Sequence, residues 1–472
     1  MVFSSSIFLF CFLPLVLLIY YLLKIEYRNA FLLIVSLLFY AWGEPKFVFV
    51  IVLSMTINYL IGIIMSFTQQ KFELYVTKII LLIGLVANCS LLFYFKYFDF
   101  FINSVNKVTG FNFSLHHVIL PIGISFFTFQ GLSYLIDIYL KRVDVQKNFF
   151  KFALFKAFFP QLIAGPIVRY VDIHEQIDSR KSTVDKFAYG IRRFIMGLGK
   201  KLIIANTLGA VANNIFGLPA DENTIAIAWI GAICYTFQIY FDFSGYSDMA
   251  IGLAKMFGFD FKENFDYPYI SKTITEFWRR WHISLSSWFR DYLYIPLGGN
   301  RAGNVYVNLL IVFIVTGLWH GAAWNFVIWG LWHGLFLIIE RLMKKRNTKI
   351  NVPKFVSWLY TTIIIIIGWV LFRSPDLNYA IDYLGIMFNI IKAKNVGFSI
   401  WYYLDTMTIV MLIIASVSSL PISKYISSIV GTYEEHSNFS IFAQNIYVVV
   451  VLIISIIFLA TSTYNPFIYF RF

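Results

Sequence analysis

Three of the seven histidines in this sequence lie where an imidazole could do chemistry. His320 and His333 each occupy a Gly-Leu-Trp-His-Gly pentapeptide inside an otherwise apolar segment, and His282 ends the run Phe-Trp-Arg-Arg-Trp-His. An ionisable side chain in an apolar span is costly, so it is by default a candidate for function. The alternative is a neutral imidazole that is hydrogen-bonded between helices. His320 is the best candidate for a general base that activates a hydroxyl toward a carbonyl.

The spacing of the two pentapeptides limits what their histidines can share. His320 and His333 are thirteen residues apart, which on one straight helix means about 20 Å of rise and directions about 220° apart. They approach each other only if the helix breaks near Gly321. Zinc-type helical pairs need i,i+4 spacing, and no His-x-x-x-His occurs here. The sequence therefore predicts no metal site.

A second polar cluster is the motif Asp242-Phe-Ser-Gly-Tyr-Ser-Asp248, in which Tyr246 adds a phenol. The two carboxylates are six residues apart and point to opposed faces of a helix, which argues against a carboxylate dyad for glycoside hydrolysis. Each acid needs a partner, and a structural ion pair is as good an interpretation as direct catalysis. The candidate partners are Arg279, Arg280 and Arg290.

The composition indicates what kind of molecule positions these residues. Of 472 residues, 59% are hydrophobic and 13% are charged, whereas soluble domains carry about 25% charge. A soluble enzyme, a disordered chain and a fibrous protein are excluded, and a polytopic membrane protein is indicated. The net charge of +13 fits the basic cytoplasmic loops of membrane proteins better than nucleic-acid binding. The three cysteines lie in apolar runs and form no disulfide or metal-binding pattern.

The hydropathy pattern predicts an all-α polytopic bundle. A span needs about 20 apolar residues, and several runs are shorter, which predicts re-entrant or in-plane helices. The loop charges of the first segments alternate as expected for an N-terminus outside. The apolar runs are 7–23, 29–42, 47–66, 77–98, 118–140, 150–168, 187–216, 225–241, 243–258, 304–319, 324–340, 355–373, 379–391, 403–420 and 442–462.

Residues 260–304 differ from every apolar run. They are polar, aromatic and charged, and Pro268, Pro296 and the Gly298-Gly299 pair interrupt them. Irregular backbone is tolerated at membrane depth only when it is buried in protein or lines a cavity. We therefore predict that this segment either lies at an interface or forms a substrate cavity.

Several long motifs resemble those of bacterial membrane-bound O-acyltransferases. The strongest are Asp242–Asp248, the segment Phe277–Asp291, Tyr-Ile-Pro-Leu-Gly-Gly-Asn-Arg at 294–301 and Gly-Leu-Trp-His-Gly-Ala-Ala-Trp-Asn at 317–325. Weaker matches are Phe-Tyr-Ala-Trp-Gly-Glu-Pro at 39–45, Pro-Gln-Leu-Ile-Ala-Gly-Pro at 160–166 and the closing Phe-Ile-Tyr-Phe-Arg-Phe. Within the family, the membrane subunits that O-acetylate alginate and peptidoglycan are more similar than the D-alanyl transfer subunit.

The resemblance implies a fold and a reaction. The fold is one domain over residues 1–472, with N-terminal spans to 140, a catalytic core over 141–340 and C-terminal spans after 341. It is a ring-like bundle of roughly 11–13 transmembrane helices around a central funnel. The reaction takes acetyl from a cytoplasmic thioester such as acetyl-CoA, with no bound cofactor. The acetyl group crosses the bacterial cytoplasmic membrane to an extracytoplasmic partner acyltransferase that modifies a polysaccharide.

The resemblance also assigns residues. The family's catalytic histidine corresponds to His320 and its second motif histidine to His282, and oxyanion support is expected from Asn325 or an indole N–H. The predicted substrate-binding residues are Trp278, Arg279, Trp281, Trp319, Trp324, Asn325, Asp242, Tyr246, Asp248 and His333.

Two alternatives remain open on the sequence. One is a D-alanyl or other acyl transferase that takes its group from a carrier-protein thioester, since the basic stretch 169–201 suits an acidic carrier as well as CoA phosphates. The other is a transporter or flippase without chemistry. Transporters often carry half-chain repeats, and only the local pentapeptide repeat occurs here.

Overall fold

A computed structural model describes residues 2–71, 73–346, 352–394, 397–422 and 438–461. All regular secondary structure in these residues is helical. The closing motif at 467–472 lies outside the described residues. The α-helices are α1 (Leu13–Leu22), α2 (Ile25–Gly43), α3 (Val48–Lys71), α4 (Leu74–Leu92), α5 (Phe98–Thr109), α6 (Ile124–Tyr139), α7 (Phe149–Ala157), α8 (Phe159–Leu162), α9 (Tyr170–Ser179), α10 (Val184–Gly199), α11 (Asn206–Phe216), α12 (Ile225–Met256), α13 (Ile274–Arg280), α14 (Ile283–Phe289), α15 (Val305–His320), α16 (Trp324–Lys345), α17 (Lys354–Arg373), α18 (Leu377–Met387), α19 (Ile400–Tyr403), α20 (Thr406–Ser418) and α21 (Asn438–Thr461).

Shorter helical turns interrupt or extend these helices. Four are π-helical and three are 3-10 turns. π-helical turns inside α-helices are uncommon overall, and those that occur are often found at functional sites. The π-helical turns are Phe8–Phe12, Phe93–Tyr97, Lys200–Ala205 and Arg290–Tyr294, and the 3-10 turns are Pro45–Phe47, Ala220–Glu222 and Pro268–Ile270.

Eight helices of the described chain are long and apolar enough to cross a membrane. Three shorter apolar helices, Phe8–Leu22, Val305–His320 and Thr406–Ser418, fall below the length that spans a bilayer unaided. The predicted class, an all-helical polytopic membrane protein, is confirmed. The eight spans are Ile25–Gly43, Pro45–Lys71, Leu74–Thr109, Val184–Phe216, Ile225–Met256, Trp324–Lys345, Lys354–Arg373 and Phe442–Thr461.

The chain divides into two compact units. The first comprises Met1–Phe194 and Met249–Lys262, and the second comprises Ile195–Asp248 and Glu263–Phe472. Every residue that the sequence analysis selects for the site lies in the second unit.

The first unit encloses polar side chains among its helices. Asn58 of α3 and Asn88 of α4 exchange side-chain hydrogen bonds of 3.0 and 2.9 Å. The fully buried Lys156 of α7 donates to the Ser54 hydroxyl at 2.7 Å, and burial lowers the pKa of its amine to about 7. Interhelical hydrogen bonds of this kind contribute to helix association where apolar surfaces alone do not.

In the second unit, α13 is a short helix that other side chains hold in place. Thr273 caps its N-terminus by accepting from the Glu276 backbone N–H. The Glu340 carboxylate of α16 accepts from the backbone N–H groups of Ile274 and Thr275 at 2.5 and 3.0 Å, and from the Thr275 hydroxyl at 2.7 Å. A carboxylate at a helix N-terminus satisfies unpaired N–H groups and complements the helix dipole. α13 is thereby attached to α16.

Candidate active site

The two pentapeptides lie on a helical hairpin rather than on one helix. α15 ends at His320, Gly321 is extended, and α16 begins at Trp324. The chain therefore breaks where the sequence analysis required a break for the two histidines to approach.

The repeated glycines form the contact between α15 and α16. A Cβ atom built on Gly317 or Gly330 would lie 3.5 Å from the Cα atom of the other glycine. It would also overlap a backbone carbonyl oxygen, that of Phe326 or of Phe313 respectively. Small residues let membrane helices approach closely, so the repeat is a packing motif that sets the positions of the histidines beside it.

Trp329 connects the two histidines. Its ring centroid lies 5.1 Å from that of His320 and 5.1 Å from that of His333. His320 is 5% exposed and also packs on Trp319 and Phe372, at 4.9 and 5.1 Å. The general-base candidate is therefore held edge-to-face among three aromatic rings.

His333 is fully buried among aromatic rings. It stacks on Phe277 at 6.3 Å and meets Trp278 edge-to-face at 5.2 Å. Neither of its ring nitrogens has a hydrogen-bond partner within the described part of the chain. The hydrogen-bonded imidazole that the sequence analysis offered as the structural alternative is thus not observed for His333.

His282 connects α13 and α14 in a left-handed conformation, with φ 43° and ψ 55°. This region is unfavourable for a residue other than glycine and persists where surrounding contacts fix it. The ring is fully buried, packs edge-to-face on Phe243 at 4.6 Å and lies 6.1 Å from Trp319. Burial lowers the pKa of the imidazole to about 3, so His282 is neutral at pH 7.

Residues 264–266 run beside residues 280–283 and form the pocket around His282. The backbone N–H of Ile283 donates to the Asn264 carbonyl oxygen, and that of Asp266 donates to the Arg280 carbonyl oxygen, both at 2.9 Å. The fully buried Asn264 side chain also contacts His282, with 3.1 Å between Oδ1 and Nδ1. This part of the irregular segment folds back on itself, with Asn264 and His282 fully buried and the Asp266 side chain 39% exposed.

The acids of the second motif pair with lysines of the π-helical turn. Asp242 binds Lys201 at 2.5 Å, with side chains 1% and 3% exposed, and Asp248 binds Lys200 at 2.6 Å. A Cβ atom on Gly245 would lie 2.7 Å from the Gly197 carbonyl oxygen, so this glycine permits the close approach of α12 and α10. The structural ion pair that the sequence analysis weighed is present.

Two of the three arginines offered as partners pair with other acids, and the third, Arg279, is exposed. Arg280 binds Glu276 at 3.0 Å and Asp266 at 3.1 Å, and Arg290 binds its neighbour Asp291 at 2.7 Å. The ion pairs of the Asp242–Asp248 motif therefore come from the basic stretch 169–201.

Most of the predicted substrate-binding residues are buried, but two are not. Trp278, Trp281, Trp319, Tyr246 and Asn325 are each at most 8% exposed. Arg279 is exposed, and Trp324 is 55% exposed at the start of α16.

Asn325 does not have the geometry expected of an oxyanion donor. Its amide nitrogen donates to the Ser374 carbonyl oxygen at 3.0 Å and to that of Leu371 at 3.4 Å. An amide nitrogen carries two hydrogens, and both are used to join α16 to the end of α17. The indole N–H groups of Trp278 and Trp329 are buried and have no partner among the described residues.

The sequence analysis missed Asn264, Trp329, Trp369 and Phe372. Trp329 precedes His333 by four residues on one helix, and this spacing places them on one face, so the signal was present. Trp369 and Phe372 of α17 pack on Trp281 and His320, at 4.8 and 5.1 Å. No local pattern in the sequence marks these two residues or Asn264.

No group of three or more His, Cys, Asp or Glu side chains in the described ranges could hold a metal ion. The histidines of the site are surrounded instead by aromatic rings and by the buried amides of Asn264 and Asn325.

Comparisons with known proteins identify the family of this chain. The family model for "MBOAT, membrane-bound O-acyltransferase family" matches residues 140–378. A probable alginate O-acetylase AlgI of Pseudomonas putida is 46% identical over 82% of this chain and 80% of its own. The peptidoglycan O-acetyltransferase of Helicobacter pylori is 37% identical over 81% of this chain and 79% of its own.

A more distant relative is the teichoic acid D-alanyltransferase of Bacillus subtilis, 31% identical over 53% of this chain and 66% of its own. All these relatives transfer acyl groups, as their names state. The chain belongs to the membrane-bound O-acyltransferase family, and it is an O-acyltransferase.

Proposed function

We propose that this protein moves an acetyl group from acetyl-CoA across the bacterial cytoplasmic membrane, for the O-acetylation of an extracytoplasmic polysaccharide. The observation that carries the proposal is the buried imidazole of His320, held by Trp319, Trp329 and Phe372 at the end of α15. The names of the relatives from Pseudomonas putida and Helicobacter pylori support acetyl as the group and a polysaccharide as the acceptor.

In this proposal His320 is the general base. It takes the proton of the acceptor hydroxyl while the hydroxyl oxygen attacks the thioester carbonyl. The new C–O bond forms, the C–S bond breaks, and the proton passes from the imidazolium to the leaving thiolate. The rings around His320 exclude water, which would otherwise compete as an acceptor and hydrolyse the thioester.

The oxyanion of the tetrahedral intermediate needs a hydrogen-bond donor. Trp278 and Trp329 supply buried indole N–H groups with no partner among the described residues. Their ring centroids are 5.7 Å apart, and each ring lies within 6 Å of a histidine ring of the site. A well-placed donor of this kind contributes about 3–4 kcal/mol to the transition state. We assign oxyanion support to one of these indoles in place of Asn325.

The donor side of the proposal is cationic. The stretch 169–201 offers arginine and lysine side chains to the phosphates of CoA, and Lys181 in it is exposed. Lys200 and Lys201 are instead paired with Asp248 and Asp242. An extracytoplasmic acyltransferase is the proposed partner that receives the acetyl group.

The test is acetyl transfer by the purified full-length protein in lipid vesicles, with radiolabelled acetyl-CoA and a polysaccharide or partner acceptor. We expect label on the acceptor from acetyl-CoA, and no label with the His320→Ala variant. Transfer only from a carrier-protein thioester would favour the D-alanyl-type alternative. Glycan transport that is unchanged in His320→Ala, without any acyl transfer, would contradict the proposal.

A further inference from the structure

The contacts of Asn264 fix which nitrogen of His282 carries the hydrogen. The atom of Asn264 nearest His282 also faces the backbone N–H of Ser284 at 3.2 Å. A backbone N–H can only donate, so this atom is the amide oxygen Oδ1. The amide nitrogen lies on the other side and donates to the Ser247 hydroxyl at 3.1 Å.

An oxygen that faces Nδ1 at 3.1 Å needs a hydrogen between them, because two lone pairs would repel. The Ser284 hydroxyl lies 3.4 Å from Nδ1 but 2.8 Å from the Asn264 oxygen, to which it donates. Nδ1 of His282 is therefore the protonated nitrogen. In a neutral ring the lone pair is then on Nε2.

Nε2 of His282 is buried and has no hydrogen-bond partner among the described residues. Leaving a buried acceptor unsatisfied destabilises the folded state, and the left-handed backbone of His282 adds strain. The fold maintains both features at one residue. Such outliers are concentrated at functional sites, where other contacts hold them.

Aromatic rings pack on His282 beside Asn264 and Ser284. Phe243, Phe265 and Trp319 are the rings packed on it. Asp242 and Asp248 are the charged residues closest to Phe243 in the sequence, and both are paired with lysines. The hydrogen-bonding state of the ring is thus set by Asn264 rather than by a nearby charge.

We infer that Asn264 is a positioning residue for acyl transfer, which holds His282 as the Nδ1–H tautomer. Nε2 of His282 then accepts a hydrogen from a reacting group and cannot donate one to the oxyanion. This inference rests on the proposed function for its place in the reaction, but the tautomer stands on the geometry alone.

The test combines a spectrum with kinetics on the full-length protein. Nitrogen-15 NMR of histidine-labelled protein in lipid reports the protonated nitrogen, and His282→Gln identifies the resonances of His282. We expect protonated Nδ1 and unprotonated Nε2 in the wild type, and loss of this pattern in Asn264→Ala. In Asn264→Ala we expect kcat to fall about 10–100-fold with little change in KM.

Asn264→Asp is the conservative variant. A carboxylate keeps the acceptor for Nδ1–H and stabilises the protonated ring, so it should retain the tautomer and move the acidic limb of the pH–rate profile to higher pH. Ser247→Ala is the matched control, because it removes only the contact on the nitrogen side of Asn264, and it should keep the wild-type tautomer and profile.

Some outcomes would overturn the inference. They are a protonated Nε2 on His282 in the wild type, or an Asn264→Ala variant with the wild-type kcat and pH profile. If Asn264→Ala does not fold, the wild-type spectrum and Asn264→Asp still decide. If the wild type transfers no acetyl but shows the Nδ1–H tautomer, the proposed function fails while the role of Asn264 in fixing the ring stands.

Discussion

The ion pair between Lys201 and Asp242 is the most buried charge pair of the site, and its removal gives a quantitative prediction. The two side chains are 3% and 1% exposed and lie 2.5 Å apart. Lys201→Met leaves the Asp242 carboxylate without this ammonium group in a buried position. Breaking a buried pair from one side costs about 3–5 kcal/mol.

The neighbouring pair is the internal control. Lys200 is 29% exposed where it binds Asp248, so water can replace it in part. The Asp248 carboxylate is itself only 9% exposed, so Lys200→Met should cost more than about 1 kcal/mol, the value for a solvent-accessible pair, but less than Lys201→Met. The double variant Lys201→Met/Asp242→Asn removes both charges and should recover most of the loss, because the buried carboxylate is removed together with the ammonium group.

These effects are measured by heating the detergent-solubilised variants and monitoring the loss of folded protein by size-exclusion chromatography. We expect Lys201→Met to lower the melting temperature on the order of 5 °C or more, with Lys200→Met closer to the wild type. The double variant should lie between Lys201→Met and the wild type. Equal losses from the two lysines, or a double variant no better than Lys201→Met, would refute the reasoning.

Three further predictions concern packing, capping and a buried amine. Gly330→Ala should destabilise the protein by about 1–3 kcal/mol, since the new methyl overlaps the Phe313 carbonyl oxygen, whereas Gly397→Ala, with no atom within 4 Å of its Cβ position, should melt as the wild type does. Glu340→Ala should lower acetyl transfer and expose α13 to limited proteolysis, with Glu340→Gln intermediate, and equal resistance of all three proteins would contradict its capping role. The pKa of Lys156 is about 7 in the folded protein and about 10.4 in an unfolded chain. Between about pH 7 and about pH 10.4 the unfolded state therefore binds more protons than the folded state. The melting temperature of the wild type should therefore rise from pH 7 to pH 9 relative to Lys156→Met, and parallel pH curves for the two proteins would rule this out.

The sequence was sufficient for the membrane class and for the most chemically informative residues. Composition predicted a polytopic helical protein, and the buried histidines were recognised because an ionisable group is rare in an apolar run. Helix geometry showed that His320 and His333 could approach only if the helix broke near Gly321, and the structure has a break there. These inferences depend on local pattern and on the physics of the bilayer, which a sequence carries directly.

What the sequence could not supply is contact between distant segments. Asn264 meets His282 because residues 264–266 run beside 280–283, and no periodicity predicts that pairing. The lysine partners of Asp242 and Asp248 depend on the π-helical turn at Lys200–Ala205, which changes the face that a helix presents. The sequence offered Asn325 or an indole N–H as the oxyanion donor. Only the structure shows that the Asn325 amide nitrogen donates instead to the end of α17.

The central claim is that the buried imidazole of His320 is the general base for the acetyl transfer by which an extracytoplasmic polysaccharide becomes O-acetylated. The most direct measurement is the ester-linked acetate on the envelope polysaccharide of cells that carry only the His320→Ala protein, with membrane insertion verified by the yield of folded, purified protein. The account predicts normal insertion and no acetate above that of cells lacking the protein. Wild-type acetate from His320→Ala cells would contradict it.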